Sequence, residues 1–165
     1  MTTLNNLQIN DEYYTSKEVW MNILHYLDRD KIYLDPFYGN GSNIENLKEL
    51  GLNCIGADID CFELLQNMHF DCILTNSPFS KNILVPFLYN LEALNKSFVI
   101  ILPIQKIACK YFRTAFRSYK DIQIIIPKER LSFTNPRLTN NKSNPSFVCC
   151  YVCYKMDLPS DIVFL

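Results

Sequence analysis

The sequence predicts a single α/β domain with a doubly wound, mostly parallel sheet, three layers and one late antiparallel strand. Short apolar runs rich in β-branched residues alternate with segments of helical periodicity, which is typical of a parallel sheet covered by helices on both faces. The chain has 165 residues, of which 48% are hydrophobic, and this is enough for one core. No repeat, low-complexity tract or linker divides it, so we expect residues 1–165 to form one domain.

Strands and helices alternate in the first half of the chain. Thr15-Ser16 is a candidate N-cap for a helix whose apolar residues recur at helical spacing. Gly51 follows a second helix as its C-terminal stop. In chain order we predict a helix over 18–27, a strand over 31–34, a helix over 43–50 and strands over 53–57 and 70–75.

The second half continues the pattern and adds a polar loop. Its first helix has one apolar stripe, formed by Ile83, Leu84, Phe87, Leu88 and Leu91. We then predict a strand over 97–102, a basic amphipathic helix over 109–119, a strand over 121–126, a long loop over 134–145 and a closing strand over 147–154.

Composition and charge exclude several classes of protein. No run approaches the roughly 18 apolar residues of a membrane helix, and the polar start lacks a signal-peptide pattern, so we expect a cytoplasmic protein. The seven cysteines are an odd number and lie mostly in apolar strands, which favours free buried thiols in a reducing compartment. Cys150 and Cys153 have no second ligand pair, so no metal site is predicted.

Charge is unevenly distributed along the chain. Residues 1–95 carry 5 Lys/Arg against 13 Asp/Glu, whereas residues 96–142 carry 10 against 2. A basic region of this kind is typical of either a nucleic-acid contact or a solvated helix face. The candidate contacts are Lys106, Lys110, Arg113, Lys128, Arg130 and Arg137.

Two motifs follow predicted strands. Asp35-Pro36-Phe37-Tyr38-Gly39-Asn40-Gly41-Ser42 has glycines that let the backbone turn sharply and approach a ligand. It is not a P-loop, because no Gly-Lys-Ser/Thr follows, and it is not a dinucleotide-binding fingerprint, because the third glycine is missing. The second motif is Asn76-Ser77-Pro78-Phe79. Between them, Asp58 ends a strand where a carboxylate commonly binds ribose hydroxyls.

Together these motifs resemble the class I S-adenosylmethionine-dependent methyltransferases, which have a Rossmann-like fold, and among them the compact phage and viral DNA adenine-N6 methyltransferases. The family's D-P-F-x-G-x-G motif is matched from Asp35 to Gly41, and its N-P-P-F motif by 76–79, with Ser77 in place of the first proline. The segment 11–15 is similar to the family's N-terminal segment, although Ser16 stands where proline is expected. The resemblance covers roughly residues 11–154.

The resemblance implies S-adenosylmethionine as cofactor and DNA as partner. It implies catalytic roles for Asn76, Ser77, Pro78 and Phe79, in which an amide oxygen and a backbone carbonyl accept the N–H groups of the adenine amine while an aromatic ring stacks on the base. The implied cofactor-binding residues are Tyr14, Thr15, Asp35, Pro36, Phe37, Gly39, Gly41, Asp58, Ile59, Asp60 and Phe62.

Three interpretations of the activity remain open. The first is methylation of adenine N6 in DNA, and the second is the same chemistry on an RNA base or a protein glutamine. The third is a cofactor-fold partner protein without catalysis, favoured by Ser77 and by the short connection between Asp60 and Asp71, which leaves little room for the family's usual third strand. The length leaves no room for a separate target-recognition domain.

Overall fold

A central sheet carries nearly half of the buried apolar side chains in the described part of the chain. The computed structural model describes residues 13–58, 62–118, 120–134 and 147–165. Predictions for the segment 11–12, for Ile59, Asp60 and Arg137, and for the loop after Thr134 lie outside these residues. The strands are β1 (Tyr14–Thr15), β2 (Ile32–Asp35), β3 (Asn53–Gly56), β4 (Cys72–Asn76), β5 (Ser97–Pro103), β6 (Ile122–Ile126), β7 (Phe133–Thr134), β8 (Cys149–Tyr154) and β9 (Ile162–Phe164).

Helices connect these strands. The α-helices are α1 (Lys17–Met21), α2 (Ser42–Glu49), α3 (Lys81–Leu94), α4 (Ile104–Ile107) and α5 (Lys110–Ala115), with 3-10 helices at Leu24–Tyr26 and Phe62–Asn67. The predicted stripe of α3 is buried along its whole length, because these residues recur at the spacing of one helix face. No helix in the described ranges is long and apolar enough to cross a membrane.

Within the described residues the main sheet has the strand order β3-β2-β4-β5-β8-β6-β9. Strands β3, β2, β4 and β5 are parallel, so their carboxyl ends lie at one edge. From β2 the chain crosses to β3 on one side and then to β4 on the other. The sheet therefore has a topological switch point between β2 and β4, where α/β proteins usually bind ligands.

The predicted late strand is antiparallel, as expected. β8 is inserted between β5 and β6 and runs opposite to both. All six of its residues are buried, and they include Cys149, Cys150 and Cys153, which are free thiols. The mixed sheet, with helices connecting its parallel strands, confirms the predicted fold class.

Three local predictions were wrong. The helix predicted over 18–27 is interrupted, because Ile23 leaves α-helical geometry at φ −116° and ψ 6° while its side chain remains fully buried. The basic helix ends at Ala115, where Phe116 turns out of the helix and its ring packs on Phe98 with 5.6 Å between centroids. β8 is not the last strand, since the three-residue β9 pairs parallel to β6.

The connection between β3 and β4 is short, as the sequence predicts. Among the described residues, a single 3-10 helix, Phe62–Asn67, lies between β3 and β4. β3 is therefore an edge strand, and three of its four residues are exposed. The opposite edge of the sheet carries β9 instead.

Candidate active site

A cavity of about 420 Å³ opens at the carboxyl ends of β2 and β4. It is lined by residues of both predicted motifs and by the segment around β1. This location is the switch point of the sheet, so the two turns open into one crevice on the same side. The lining residues include Tyr14, Thr15, Asp35, Phe37, Gly39, Asp58, Asn76, Ser77, Pro78 and Phe79.

The glycine-rich turn after β2 needs its glycines. Gly39 and Gly41 have φ of 54° and 83°, a left-handed conformation that other residues adopt only with strain. A Cβ atom on Gly41 would lie 2.7 Å from the Tyr38 hydroxyl, and one on Gly56 would lie 2.1 Å from Tyr38 Cδ2. The Tyr38 ring therefore lies directly on these two glycines, at the wall of the cavity.

Asp35 is the buried carboxylate at the centre of the site, with only 3% of its surface exposed. Its Oδ1 accepts hydrogen bonds from the Phe37 backbone N–H at 3.0 Å and from Thr75 Oγ1 at 2.6 Å. Its Oδ2 accepts from Asn43 Nδ2 at 2.6 Å. A carboxylate has about four acceptor positions, so Oδ2 keeps one for a further donor.

The orientation of the Asn43 amide is fixed by a tryptophan. Trp20 Nε1 donates to Asn43 Oδ1 at 2.6 Å, and an indole N–H can only donate. The amide nitrogen of Asn43 must therefore face Asp35, which is consistent with the contact to Oδ2. This chain of contacts joins α1, α2 and the end of β2.

Burial controls the ionisation of Asp35. Removal from water raises the pKa of its carboxyl from 3.8 to about 6, against the opposing effects of hydrogen bonds from Thr75, Asn43 and Phe37. The negative charge of Asp58 adds to the increase. Asp35 is thus charged at neutral pH although burial makes the charged form less favourable. A cation beside Oδ2 would offset that unfavourable free energy.

Asp58 closes the side of the cavity next to the glycine turn. Its Oδ1 accepts from the Gly39 N–H at 3.1 Å, and an isolated bridge pairs it with Phe37. Phe62 packs its ring on Phe37 at 5.7 Å and on Phe87 at 5.4 Å. Phe62 is therefore part of an aromatic cluster behind the cavity wall and does not line the cavity.

Asn76 ends β4 with its amide oriented by the N-terminal segment. Asn76 Nδ2 donates to the Tyr13 carbonyl at 3.3 Å. Its Oδ1 is covered from water and has no hydrogen-bond partner among the described residues. Since Nδ2 is engaged, Asn76 Oδ1 remains available as an acceptor.

Ser77 and Phe79 complete the second turn. The Ser77 side chain is 2% exposed, and its Oγ likewise has no partner among the described residues. The Phe79 ring meets Phe147 edge-on, with centroids 5.2 Å apart, and Phe147 also contacts Tyr13 at 6.4 Å. Phe147 thus connects the ring of Phe79, in this turn, with the ring of Tyr13.

A short ladder holds the N-terminal segment over the site. β1 pairs antiparallel with β7, so that Tyr14 lies opposite Thr134 and Thr15 opposite Phe133. Asn46 Nδ2 donates to the Thr15 carbonyl at 3.1 Å and connects the ladder to α2. The segment predicted to contact a cofactor is thereby fixed beside Asp35 and Asn76.

The predicted basic contacts lie on elements after β5 and β6. Lys106 is on α4, which follows the carboxyl end of β5, and Lys110 and Arg113 are on α5. Lys128 is exposed after β6. Arg130 Nη2 donates to the Phe147 carbonyl at 3.0 Å, which places Arg130 next to the aromatic rings of the site.

The structure brings most of the predicted site residues together and adds others. Pro36, Gly41 and Phe62 adjoin the cavity without lining it. The predicted set does not include Tyr38, Asn40, Ser42 and Asn43, which line the cavity, or Thr75, which donates to Asp35. Asn43 and Thr75 lie just beyond the motifs, and only their contacts with Asp35 distinguish them from ordinary helix and strand residues. Across the described ranges, no group of three His, Cys, Asp or Glu side chains could hold a metal ion.

Comparison with known proteins shows the fold. No protein-family model matches the sequence, and no curated protein matches it. A solved structure from Listeria monocytogenes, assigned as a class I S-adenosylmethionine-dependent methyltransferase, is similar with a TM-score of 0.55 and 11% identity, over 96% of this chain and 67% of that one. Precorrin-6y C5,15-methyltransferase from Geobacter metallireducens matches 90% of this chain and 97% of its own, with a TM-score of 0.49 and 15% identity. The similarity to the Listeria structure shows that the chain has the class I methyltransferase fold.

Proposed function

We propose that the protein is an S-adenosylmethionine-dependent methyltransferase that transfers a methyl group to the N6 amine of adenine in DNA. The observation that carries the proposal is Asn76 Oδ1, a covered acceptor without a described partner, at a turn that lines the same cavity as Asp35. An exocyclic amine offers two N–H donors and needs acceptors of this kind.

The cavity suits the proposed cofactor in size and charge. Ligand sites usually have volumes of roughly 300–1,000 Å³, and this one has about 420 Å³. Asp35 Oδ2 is a buried acceptor beside the glycine turn and would bind the cofactor's ammonium group. Asp58 would bind ribose hydroxyls through a carboxylate oxygen, while its Oδ1 holds the turn at Gly39.

The residues of the second turn would prepare the amine for attack. When bound, S-adenosylmethionine would supply the methyl group from a positively charged sulfur and leave as S-adenosylhomocysteine, while the methylated amine would lose one proton to solvent. Asn76 Oδ1 and the Ser77 backbone carbonyl would accept the two N–H groups of the amine and direct its lone pair towards that methyl group. Phe79 would stack on the base. These roles amount to positioning and preorganised dipoles.

DNA is the proposed partner because basic residues lie next to the aromatic rings of the site. Arg130 bonds to the carbonyl of Phe147, whose ring touches Phe79. Lys106 lies on the short helix that follows the carboxyl end of β5. A base within a duplex must be flipped out to reach such a site.

The test is incubation with methyl-labelled S-adenosylmethionine and DNA, RNA or protein as acceptor, followed by nucleoside analysis. We expect N6-methyladenine from DNA. Asn76→Ala should lower the rate by about 10²–10³-fold, as for other preorganised polar groups in active sites. Asn82→Ala, an exposed asparagine on α3, is the matched control and should leave the rate unchanged.

Other outcomes would redirect the proposal. Label in RNA or in protein glutamine, with none in DNA, would establish a different acceptor for the same chemistry. Cofactor binding without transfer to any acceptor would favour a non-catalytic partner protein. An unchanged rate in Asn76→Ala would refute the role assigned to that residue.

A further inference from the structure

Ser77 places a second polar side-chain atom in the candidate catalytic turn. Its Oγ is covered from water and no described residue is within hydrogen-bonding reach, although the residue lines the cavity. Native proteins rarely leave a buried hydroxyl without a partner, because the lost hydration is not compensated. A proline here, as in the family motif, would avoid this cost.

The neighbouring atom has the same property. Asn76 Oδ1 is also covered and without a described partner, so two adjacent residues each carry an unsatisfied polar atom beside one cavity. A hydroxyl differs from an amide oxygen because it can donate as well as accept. The turn thus offers acceptors, from Asn76 Oδ1 and the Ser77 carbonyl, and one donor, from Ser77 Oγ.

We propose that the Ser77 hydroxyl donates a hydrogen bond to adenine N1, beside the amine that is methylated, and so favours adenine over guanine. This inference rests on the proposed function and adds a contact with the substrate that a proline could not make. In adenine the amine donates and the adjacent N1 accepts, which matches the acceptors and the donor of the turn. Flipped bases are commonly read along this Watson–Crick edge.

The same pattern disfavours guanine. Its Watson–Crick edge has a carbonyl and an N1–H donor, so a donor at Ser77 would meet a donor at N1. A site built to hydrogen-bond a polar group discriminates strongly against a ligand that leaves that group unpaired. Ser77 would therefore contribute to selection of adenine as well as to its orientation.

Access to the turn requires a side chain to move. Both oxygens are covered, and the ring of Phe147 packs edge-on against Phe79 at 5.2 Å. Phe79 is the surface on which the base is proposed to stack. For a base to stack on Phe79, we expect Phe147 to move away from that ring.

The experiment measures kcat/KM for oligonucleotides whose target base is adenine, 1-deazaadenine or 7-deazaadenine, with wild-type protein and Ser77→Ala. On adenine we expect Ser77→Ala to lower kcat/KM about tenfold, the value of one neutral hydrogen bond. On 1-deazaadenine, which lacks the N1 acceptor, the two proteins should be equal. On 7-deazaadenine the tenfold difference should return.

A matched control separates this effect from general disturbance of the turn. Ser80 also has a buried Oγ without a described partner, but it does not line the cavity. Ser80→Ala should match wild type on all three bases. In the absence of ligand, Ser77→Ala should raise the Tm by roughly 2–4 °C, because it removes an unsatisfied buried hydroxyl, and this shift also reports correct folding.

The outcomes distinguish the two levels of the proposal. Equal activity of wild type and Ser77→Ala on adenine would overturn the role of Ser77 and leave the proposed function intact. A difference that persists on 1-deazaadenine and vanishes on 7-deazaadenine would overturn N1 as the contact, in favour of N7. Absence of adenine methylation by the wild-type protein would overturn the proposed function itself.

Discussion

The buried Asp35 should make the stability of the protein depend on pH in an unusual direction. Its carboxyl has a pKa of about 6 in the folded protein against 3.8 without burial, a difference worth about 3 kcal/mol. The folded state holds the proton more tightly than the unfolded chain, so protonation of Asp35 stabilises the folded protein. This stabilisation is complete below the pKa of the unfolded chain. It is lost as pH rises through the folded pKa.

The perturbation that isolates this effect is Asp35→Asn, since an amide does not titrate. The new amide nitrogen would face Asn43 Nδ2, so the variant has a mismatch that is independent of pH. Between about pH 4 and pH 7, the wild-type free energy of unfolding should therefore fall by about 2 kcal/mol relative to the variant. Adding Asn43→Asp should remove the mismatch, because a carboxylate at position 43 would accept from both Trp20 and the amide at position 35.

Urea unfolding at several pH values measures the difference. The fluorescence of Trp20, the only tryptophan, and far-UV circular dichroism provide two probes. Titration with S-adenosylmethionine should give a matching result. About one pH unit below the pKa of Asp35, only about a tenth of this carboxyl is ionised. The affinity of the wild-type protein for the cofactor should therefore be about tenfold lower there than at neutral pH. A wild-type-to-variant difference in unfolding free energy that stays constant with pH would refute the reasoning.

Three further perturbations test other parts of the site. Gly41→Ala should destabilise the protein by about 1–3 kcal/mol in urea unfolding, because it combines φ of 83° with a contact to Tyr38; an unaltered unfolding midpoint would contradict this. Thr75→Val removes a donor to Asp35 and should raise the pKa of that carboxyl further, so calorimetry should show weaker cofactor binding near neutral pH, with Thr114→Val, exposed on α5, as control. Lys110→Gln should reduce the slope of log DNA affinity against log salt by about 1; an identical slope would exclude Lys110 from the phosphate contacts.

The fold was largely predictable because its pattern is local. Apolar runs such as 97–102 predict buried strands wherever they lie, and the stripe of α3 predicts a helix without knowledge of its neighbours. The break at Ile23 and the strand β9 depend on contacts with distant residues. The apolar spacing continues through Ile23 although the backbone leaves α-helical geometry there. β9 has three residues, of which only Val163 is buried, and three residues are too few for a periodic signal.

The sequence predicted that the two motifs of the candidate site lie together, but it did not predict the contacts that support them. Asp35 and Asn76 follow strand-like runs, and parallel strands bring such residues to one edge. Asn43 carried no signal, because an asparagine in the first turn of a helix is common in any fold. Its contact with Asp35 depends on Trp20, 23 positions away, whose indole can only donate and so turns the Asn43 amide nitrogen towards Asp35. Trp20, which can only donate, thus controls how many acceptor positions remain on the Asp35 carboxylate at the centre of the candidate site. The double variant that exchanges the carboxylate at position 35 and the amide at position 43 tests this control directly.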